Sequence, residues 1–374
     1  MSKGVVVISL VIITLAGLFL LRNSGKTTPL PNVALPSSTP VTSTPNDSPK
    51  FEVIAKNLQV PWGLVFLPDK SILVTERSGR VRLINKEGKL EDESVADITV
   101  KQVGEGGLLG ITIHPDFTKN HYVYLYYTYS ENGQMYNKVV RFEYQPPKFI
   151  ENKIIADRIP SSSNHNGGRI KFGPDGYLYI STGDAENPSQ AQNTNTLGGK
   201  ILRVTSDGKA APGNPFNTLI YSYGHRNVQG LAWDNQGRLW ATEHGRSGAL
   251  SGLDELNLIE AGKNYGWPII QGDETKPGMT TPKINSGPNY TWAPSGAAFF
   301  ESSIFFGGLR GQTLYEAKAG TLELKKHFEG QFGRVRDVIL GPDNLLYITT
   351  SNQDGRGTPS GEDDRITRIN PKKL

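Results

Sequence analysis

The chain has 374 residues, 36% of them hydrophobic and 20% charged, which is enough apolar material for a packed core and excludes wholesale disorder. Its 40 basic and 36 acidic residues leave a formal net charge of +4, a weak bias with no Lys/Arg block of the kind that binds nucleic acid. Cys is absent, so disulfides, thiolate metal sites, Cys nucleophiles and lipid-bearing Cys anchors are all excluded.

Residues 4–21 are 18 in a row without a charge, preceded by Lys3 and followed by Arg22. This is long enough to cross a bilayer, and residues 1–22 are expected to be a signal peptide or an N-terminal membrane anchor. Residues 23–50 hold six prolines, ten Ser/Thr and no aromatic residue, a composition that cannot bury enough apolar area to fold and predicts an extended linker. This order predicts an extracytoplasmic (periplasmic or extracellular) domain over 51–374, secreted or held by membrane anchoring through residues 4–21.

Within 51–374 one pattern recurs: a Pro-Asp or Asp-Asn turn followed by an alternating strand. Copies are Leu67-Pro68-Asp69 before Ile72–Thr75, His114-Pro115-Asp116 before Tyr122–Thr128, Gly173-Pro174-Asp175-Gly176 before Leu178–Ile180, Asp234-Asn235-Gln236-Gly237 before Leu239–Thr242, and Gly341-Pro342-Asp343-Asn344 before Leu346–Thr349. A degenerate copy, Phe300-Glu301-Ser302-Ser303, precedes Ile304–Phe306. A repeat of this length made of strands and turns predicts an all-β, six-bladed β-propeller with four antiparallel strands per blade. Phe51–Ala55 is left over to pair with the last blade and close the ring. Two β-sandwiches are the alternative, but they would not produce six copies of one turn. No amphipathic helix is evident after residue 50.

A propeller is a scaffold, so function must come from loops that depart from the repeat. His165 lies in Ser161–Arg169 between two Asn and two Gly, where an imidazole is either a proton acceptor near neutral pH or a turn cap. Arg226 and Asn227, in Tyr223–Gly230, offer a guanidinium fork and an amide to an anionic or quinonoid ligand, or brace two blades. Arg334 and Arg336 point the same way from one strand and call for carboxylates between them, from neighbouring blades or from a ligand. Glu243–Gly248 and Asp254–Ile259 combine Gly turns with carboxylates and suit Ca²⁺, or are solvated loops. Gly104–Gly110 lacks the Lys-Ser/Thr ending of a phosphate loop and opens a strand, so nucleotide binding is rejected.

Taken together these segments resemble the soluble pyrroloquinoline-quinone (PQQ)-dependent glucose dehydrogenases and, more closely, the aldose sugar dehydrogenases of the glucose/sorbosone dehydrogenase family. The resemblance rests on Gly107–Gly110 with His114–Phe117, His165 with Gly168-Arg169, Gly173-Pro174-Asp175 with Thr182-Gly183-Asp184, Gly224–Asn227 with Gln229–Ala232, Asp254–Ile259 with Asn264–Pro268, and Arg334 with Arg336-Asp337. It implies a six-bladed propeller that binds PQQ and Ca²⁺ and oxidises an aldose at C1, passing electrons to an external acceptor. His165 would be the general base, Arg226 and Asn227 donors to the quinone oxygens, and Arg334 and Arg336 partners of the cofactor. The carbonyls of Gly245 and Arg246 would hold the active-site Ca²⁺, and Glu255 and Tyr265 a second, structural one. Four positions depart from the glucose-specific members: Glu105 stands for Gln, Asn164 for Asp, Arg246 for Pro, and Arg310 for a cofactor-binding Lys. These changes leave Glu105, Asn164 and Arg310 beside the cofactor and favour a broad aldose range. A Ca²⁺-dependent lactonase-type hydrolase is the first competing reading. It needs a carboxylate-rich metal site, for which Asp184, Glu243 and Glu255 are present without an arrangement that joins them. A non-catalytic sugar-binding propeller is the second, but it would have no reason to keep five such polar residues.

Overall fold

The computed structural model describes residues 49–248 and 251–374; the hydrophobic segment at 4–21 and most of the linker lie outside the described residues. Among the described residues, 24 strands form six four-stranded antiparallel sheets. Blade 1 comprises Pro61–Phe66, Ile72–Glu76, Arg80–Ile84 and Ala96–Asp97, and blade 2 Leu108–Ile113, Tyr122–Glu131, Gln134–Gln145 and Lys148–Pro160. Blade 3 comprises Ile170–Phe172, Leu178–Ser181, Lys200–Val204 and Ile220–Tyr223, and blade 4 Val228–Trp233, Leu239–Glu243, Glu255–Ile259 and Ile284–Asn285. Blade 5 comprises Pro294–Phe300, Ser303–Gly308, Thr313–Lys318 and Leu324–His327. Blade 6 takes Val335–Leu340, Leu346–Thr350 and Ile366–Ile369 from the C-terminal end and Phe51–Ala55 as its outermost strand, paired Phe51 to Ile369. The expected fold and its closing strand are therefore both present.

All six repeated turns lie between the first and second strands of a blade. In three of them the Asp has a double task. One oxygen caps its own turn: Asp175 Oδ1 accepts from Tyr177 N, Asp234 Oδ1 from Gln236 N and Asp343 Oδ1 from Leu345 N. The other holds an aromatic side chain of the second strand, with Asp175 Oδ2 2.9 Å from Tyr179 Oη, Asp234 Oδ2 2.9 Å from Trp240 Nε1 and Asp343 Oδ2 2.8 Å from Tyr347 Oη. The last turn residue adopts a left-handed conformation, φ +77° at Gly176 and +61° at Asn344, which explains the Gly and Asn there.

Six hydrophobic clusters fill the joints between blades. Leu64, Val74, Tyr347 and Ile366 join blades 6 and 1, for example, and Tyr124, Ile155, Ile170 and Leu202 join blades 2 and 3. Each sheet is thus buried on both faces by its neighbours, which is what stabilises a ring of small sheets. Helices are confined to short turns such as Phe117–Asn120 and Ser189–Gln192, and no helix among the described residues is long and apolar enough to cross a membrane. Blade 2 runs longer than the repeat predicts, its second strand reaching Glu131 rather than Thr128. Lys138 from the third strand lies over the Tyr127 and Tyr129 rings and extends the pairing.

Candidate active site

The loops before each innermost strand and those between second and third strands gather at one end of the central channel. There they enclose a cavity of about 440 Å³. Glu105, Asn164, His165, Arg226, Gly245, Arg246, Arg310, Arg334 and Arg336 all line it, although they come from five different blades or the loops before them.

His165 has φ +59° and is held by its surroundings rather than by a regular element. Asn166 beside it is buried and staples the loop: its Oδ1 accepts from Ser161 Oγ at 2.7 Å and Asn137 Nδ2 at 3.1 Å, while its carbonyl accepts from Tyr126 Oη at 2.7 Å. The chain passes so close behind that a Cβ on Gly183 would fall 1.8 Å from the His165 carbonyl oxygen. Next to that glycine, the fully buried Asp184 places Oδ1 2.8 Å from His165 Nδ1, and Trp267 Nε1 fixes Oδ2 at 2.8 Å. A carboxylate on Nδ1 selects the tautomer with its hydrogen there and leaves Nε2 as a proton acceptor.

Arg226 lies over the same Trp267 ring, 5.3 Å from its centroid, and donates to Ser247 Oγ at 2.6 Å. Its burial lowers the guanidinium pKa, partly offset by Asp184 and Glu105. Asn227 is fully buried behind it and does not reach the cavity wall; its Oδ1 accepts from Gly167 N at 2.9 Å, so it ties the His165 loop to blade 4. Arg334 and Arg336 do face the cavity together, and the carboxylate between them is Asp354 of their own blade, 2.7 Å from Arg334 Nη2 and 3.9 Å from Arg336 Nη2. Burial and the neighbouring Arg334, only partly offset by Asp354, pull the Arg336 guanidinium down to about 10.

The Glu105 charge has a local answer. Its Oε1 pairs with Arg356 Nη1 at 2.7 Å, and Arg356 Nη2 reaches Asn164 Oδ1 at 2.8 Å, so one guanidinium bridges two of the four positions that depart from the glucose-specific pattern. Glu105 Oε2 accepts from the His165 amide at 3.1 Å. Burial alone would raise the Glu105 carboxyl, but His244, Arg356 and Arg336 hold it at about 2. Burial also keeps His244 uncharged above about pH 4, so at neutral pH the two arginines do this.

Gly245 and Arg246 form one wall, shaped by the buried Asp254. This carboxylate accepts from Gly245 N at 2.8 Å and, through its other oxygen, from Thr291 Oγ1, Trp292 N and Ala293 N at 2.6–2.9 Å. Arg310 stands on the exposed rim, donating to Ser251 Oγ at 2.8 Å. Glu255 and Tyr265 are absent from the cavity wall. Burial and the adjacent Glu243 carboxylate raise the Glu255 carboxyl to about 8, with Asn257 Nδ2 donating to both carboxylates. Tyr265 Oη donates to the Leu258 carbonyl and accepts from Glu260 N, so any oxygen it offers a cation would be its backbone carbonyl.

Six arginines and three carboxylates line the cavity. On its lining, Arg226 Nη1, Arg336 Nε, Arg246 Nε and His244 Nε2 are buried without a hydrogen-bond partner. Unmet buried donors cost roughly 1–3 kcal/mol each. This set fits a ligand that presents several carboxylate and carbonyl oxygens. Among the described residues no group of three or more His, Asp or Glu side chains could hold a metal: Asp184 serves His165, and Glu243 and Glu255 lie together elsewhere.

The sequence profile of the Glucose / Sorbosone dehydrogenase family matches residues 58–358. The chain belongs to this family. Among its glucose/sorbosone dehydrogenase relatives, the aldose sugar dehydrogenase YliI of Escherichia coli K12 is 32% identical over 81% of this chain and 90% of its own length. A Thermus thermophilus structure, described as an oxidoreductase of the glucose dehydrogenase type, shares 43% identity. It superposes with a TM-score of 0.80, covering 85% of this chain and 98% of that one. The PQQ-bound aldose sugar dehydrogenase of Streptomyces coelicolor shares 39% identity with a TM-score of 0.79, covering 85% and 97%.

Asp184, Trp267, Asp354 and Arg356 are the residues whose roles the sequence left unassigned. Asp184 carried a signal, standing one residue after a glycine in Thr182-Gly183-Asp184; Arg356 carried none, because its partners are 251 and 192 residues away.

Proposed function

We propose that this chain is a PQQ-dependent aldose dehydrogenase that oxidises the C1 hydroxyl of an aldose to the lactone, with His165 as the general base. The observation that carries this reading is the His165–Asp184 pair opening onto the cavity that Arg226, Arg334 and Arg336 also line. The relatives named above as aldose sugar dehydrogenases support it. When bound, the quinone supplies a two-electron acceptor for the hydride leaving C1, with Ca²⁺ polarising it. His165 Nε2 takes the O1 proton, and Asp184 stabilises the resulting imidazolium. Arg226 is suited to bind quinone oxygens, with Asn227 behind it holding the His165 loop rather than meeting the quinone. Arg334, Arg336 and Arg310 are suited to the cofactor's carboxylates, and the carbonyls of Gly245 and Arg246 to the active-site Ca²⁺. Glu105 and Asn164, fixed by Arg356, would lie beside the cofactor. Glu255 with the Tyr265 carbonyl is the proposed structural Ca²⁺ site. Electrons then pass to an external acceptor.

Residues 51–374 form the catalytic domain in this reading, and the hydrophobic segment 4–21 with its Pro/Ser/Thr-rich linker delivers it outside the cytoplasm. The test is reconstitution: apoprotein loaded with PQQ and Ca²⁺ is expected to reduce a dye acceptor when aldoses are added. Stoichiometric quinone binding without turnover on a broad aldose panel would refute the activity.

A further inference from the structure

The channel has a second cavity at its other end, of about 580 Å³, reaching the turns Gly173-Pro174 and Gly341-Pro342. Its walls are apolar, with Leu64, Phe66, Phe172, Trp233, Phe299 and Leu340 among them. The ionisable groups on its lining are Arg169, Lys171 and Asp337. Asp337 Oδ2 accepts from Arg169 Nη1 at 2.9 Å and Leu64 N at 3.3 Å, and its Oδ1 from Val338 N at 2.9 Å. Arg169 is 6% exposed, and its Nη2 is buried without a partner. Lys171 Nζ reaches the Leu231 carbonyl only at 3.4 Å. Burial, with Arg169 alongside and Asp337 only partly offsetting it, pulls this ammonium down to about 8. Two cations therefore face one carboxylate at the inner end of an apolar funnel. The Trp62 ring, with Arg169 4.3 Å and Arg336 5.9 Å from its centroid, lies between this group and the upper cavity.

We propose that the lower cavity binds an apolar monocarboxylate, its head on Arg169 Nη2 and Lys171 Nζ and its tail along the aromatic wall. One excess positive charge matches one carboxylate, and the adjacent Asp337 disfavours a dianion. The volume lies within the roughly 300–1,000 Å³ of small-molecule sites. This site is separate from the proposed catalytic one and does not depend on it.

The test is calorimetric titration of the full-length holoprotein at pH 7 with octanoate and with octanamide, its uncharged counterpart. Octanoate is expected to bind at one site at least tenfold more tightly than octanamide. In Lys171→Met, checked for an unchanged melting transition, octanoate is expected to weaken at least tenfold while octanamide is unaffected. The wild-type comparison stands alone if the variant fails to fold. Equal affinity for the two probes, no binding of octanoate, or octanoate competing with sugar or quinone would each overturn the proposal.

Discussion

The 2.8 Å contact between His165 Nδ1 and Asp184 gives the proposed reaction its most exacting requirement. His165→Ala is expected to bind the quinone normally and to lose turnover by roughly 10²- to 10⁴-fold. Asp184→Asn keeps the shape but can donate to Nδ1 and so favour the wrong tautomer, with an expected fall in kcat on the order of 10²-fold and little change in KM. Stopped-flow dye reduction with matched quinone occupancy checks both, and wild-type rates in either variant would remove that residue from its role. The imidazole was visible as a candidate from its loop, where a His among Asn and Gly is either a proton acceptor or a turn cap. Its carboxylate was not, since Asp184 lies 19 residues away and only the close passage of Gly183 brings the two together. Glu105 followed the same rule. Its extra charge was plain, but its partner Arg356 comes from a distant stretch of chain, and no periodicity predicts such a pair.

At the level of strands and loops, the active-site geometry depends on close backbone approach. Gly183→Ala would drive a methyl into the His165 carbonyl, so a stability loss of about 1–3 kcal/mol is expected, with a fall in kcat as the loop moves. Thermal unfolding and turnover measured together would show both effects, and an unchanged kcat would mean that the loop is not held from behind. The third strand of blade 4 carries a different strain. The Glu255 carboxyl is raised from its ordinary 4.5 to about 8 by burial and Glu243, so the folded chain holds this proton more tightly than the unfolded chain does. Stability from this group therefore falls as pH rises from about 4.5 to about 8. A cation bound by Glu255 would reverse the trend by favouring the ionised form. Melting temperature is expected to drop between about pH 5 and 8 in chelator and to be restored by Ca²⁺ at about pH 8; a Ca²⁺-independent melting curve would count against the structural site. The repeated strands were readable because the turn recurs with one composition, and in three copies its Asp both caps the turn and grips an aromatic residue of the strand. The long hairpin of blade 2 was not, because its extension rests on packing of Lys138 over Tyr127 and Tyr129.

For the molecule as a whole, blade count was legible from the six repeated turns and closure from the left-over strand Phe51–Ala55, whereas the site emerged only when loops from five blades met at one mouth. The joint that completes blade 6 sets Phe51–Ala55 against Ile366–Ile369, with the Phe51 ring edge-on to Phe328 and Phe332 at 5.7 and 5.4 Å. Removal of residues 1–48 is expected to leave the melting temperature of the domain unchanged, whereas removal of 1–55 exposes the edge of Ile366–Ile369 and is expected to yield aggregated protein. Size-exclusion chromatography of the two truncations separates these outcomes, and a soluble, active 56–374 fragment would show the clasp to be dispensable. A sheet shared by the two ends of the chain also sets an order of events during synthesis. The five other blades have all their strands before residue 328, but the sixth waits with a single early strand until residues 335–369 have left the ribosome. A nascent chain stalled before Ile366 is thus an open arc with two raw edges, and the gathering of the mouth loops follows the closure of blade 6 rather than preceding it.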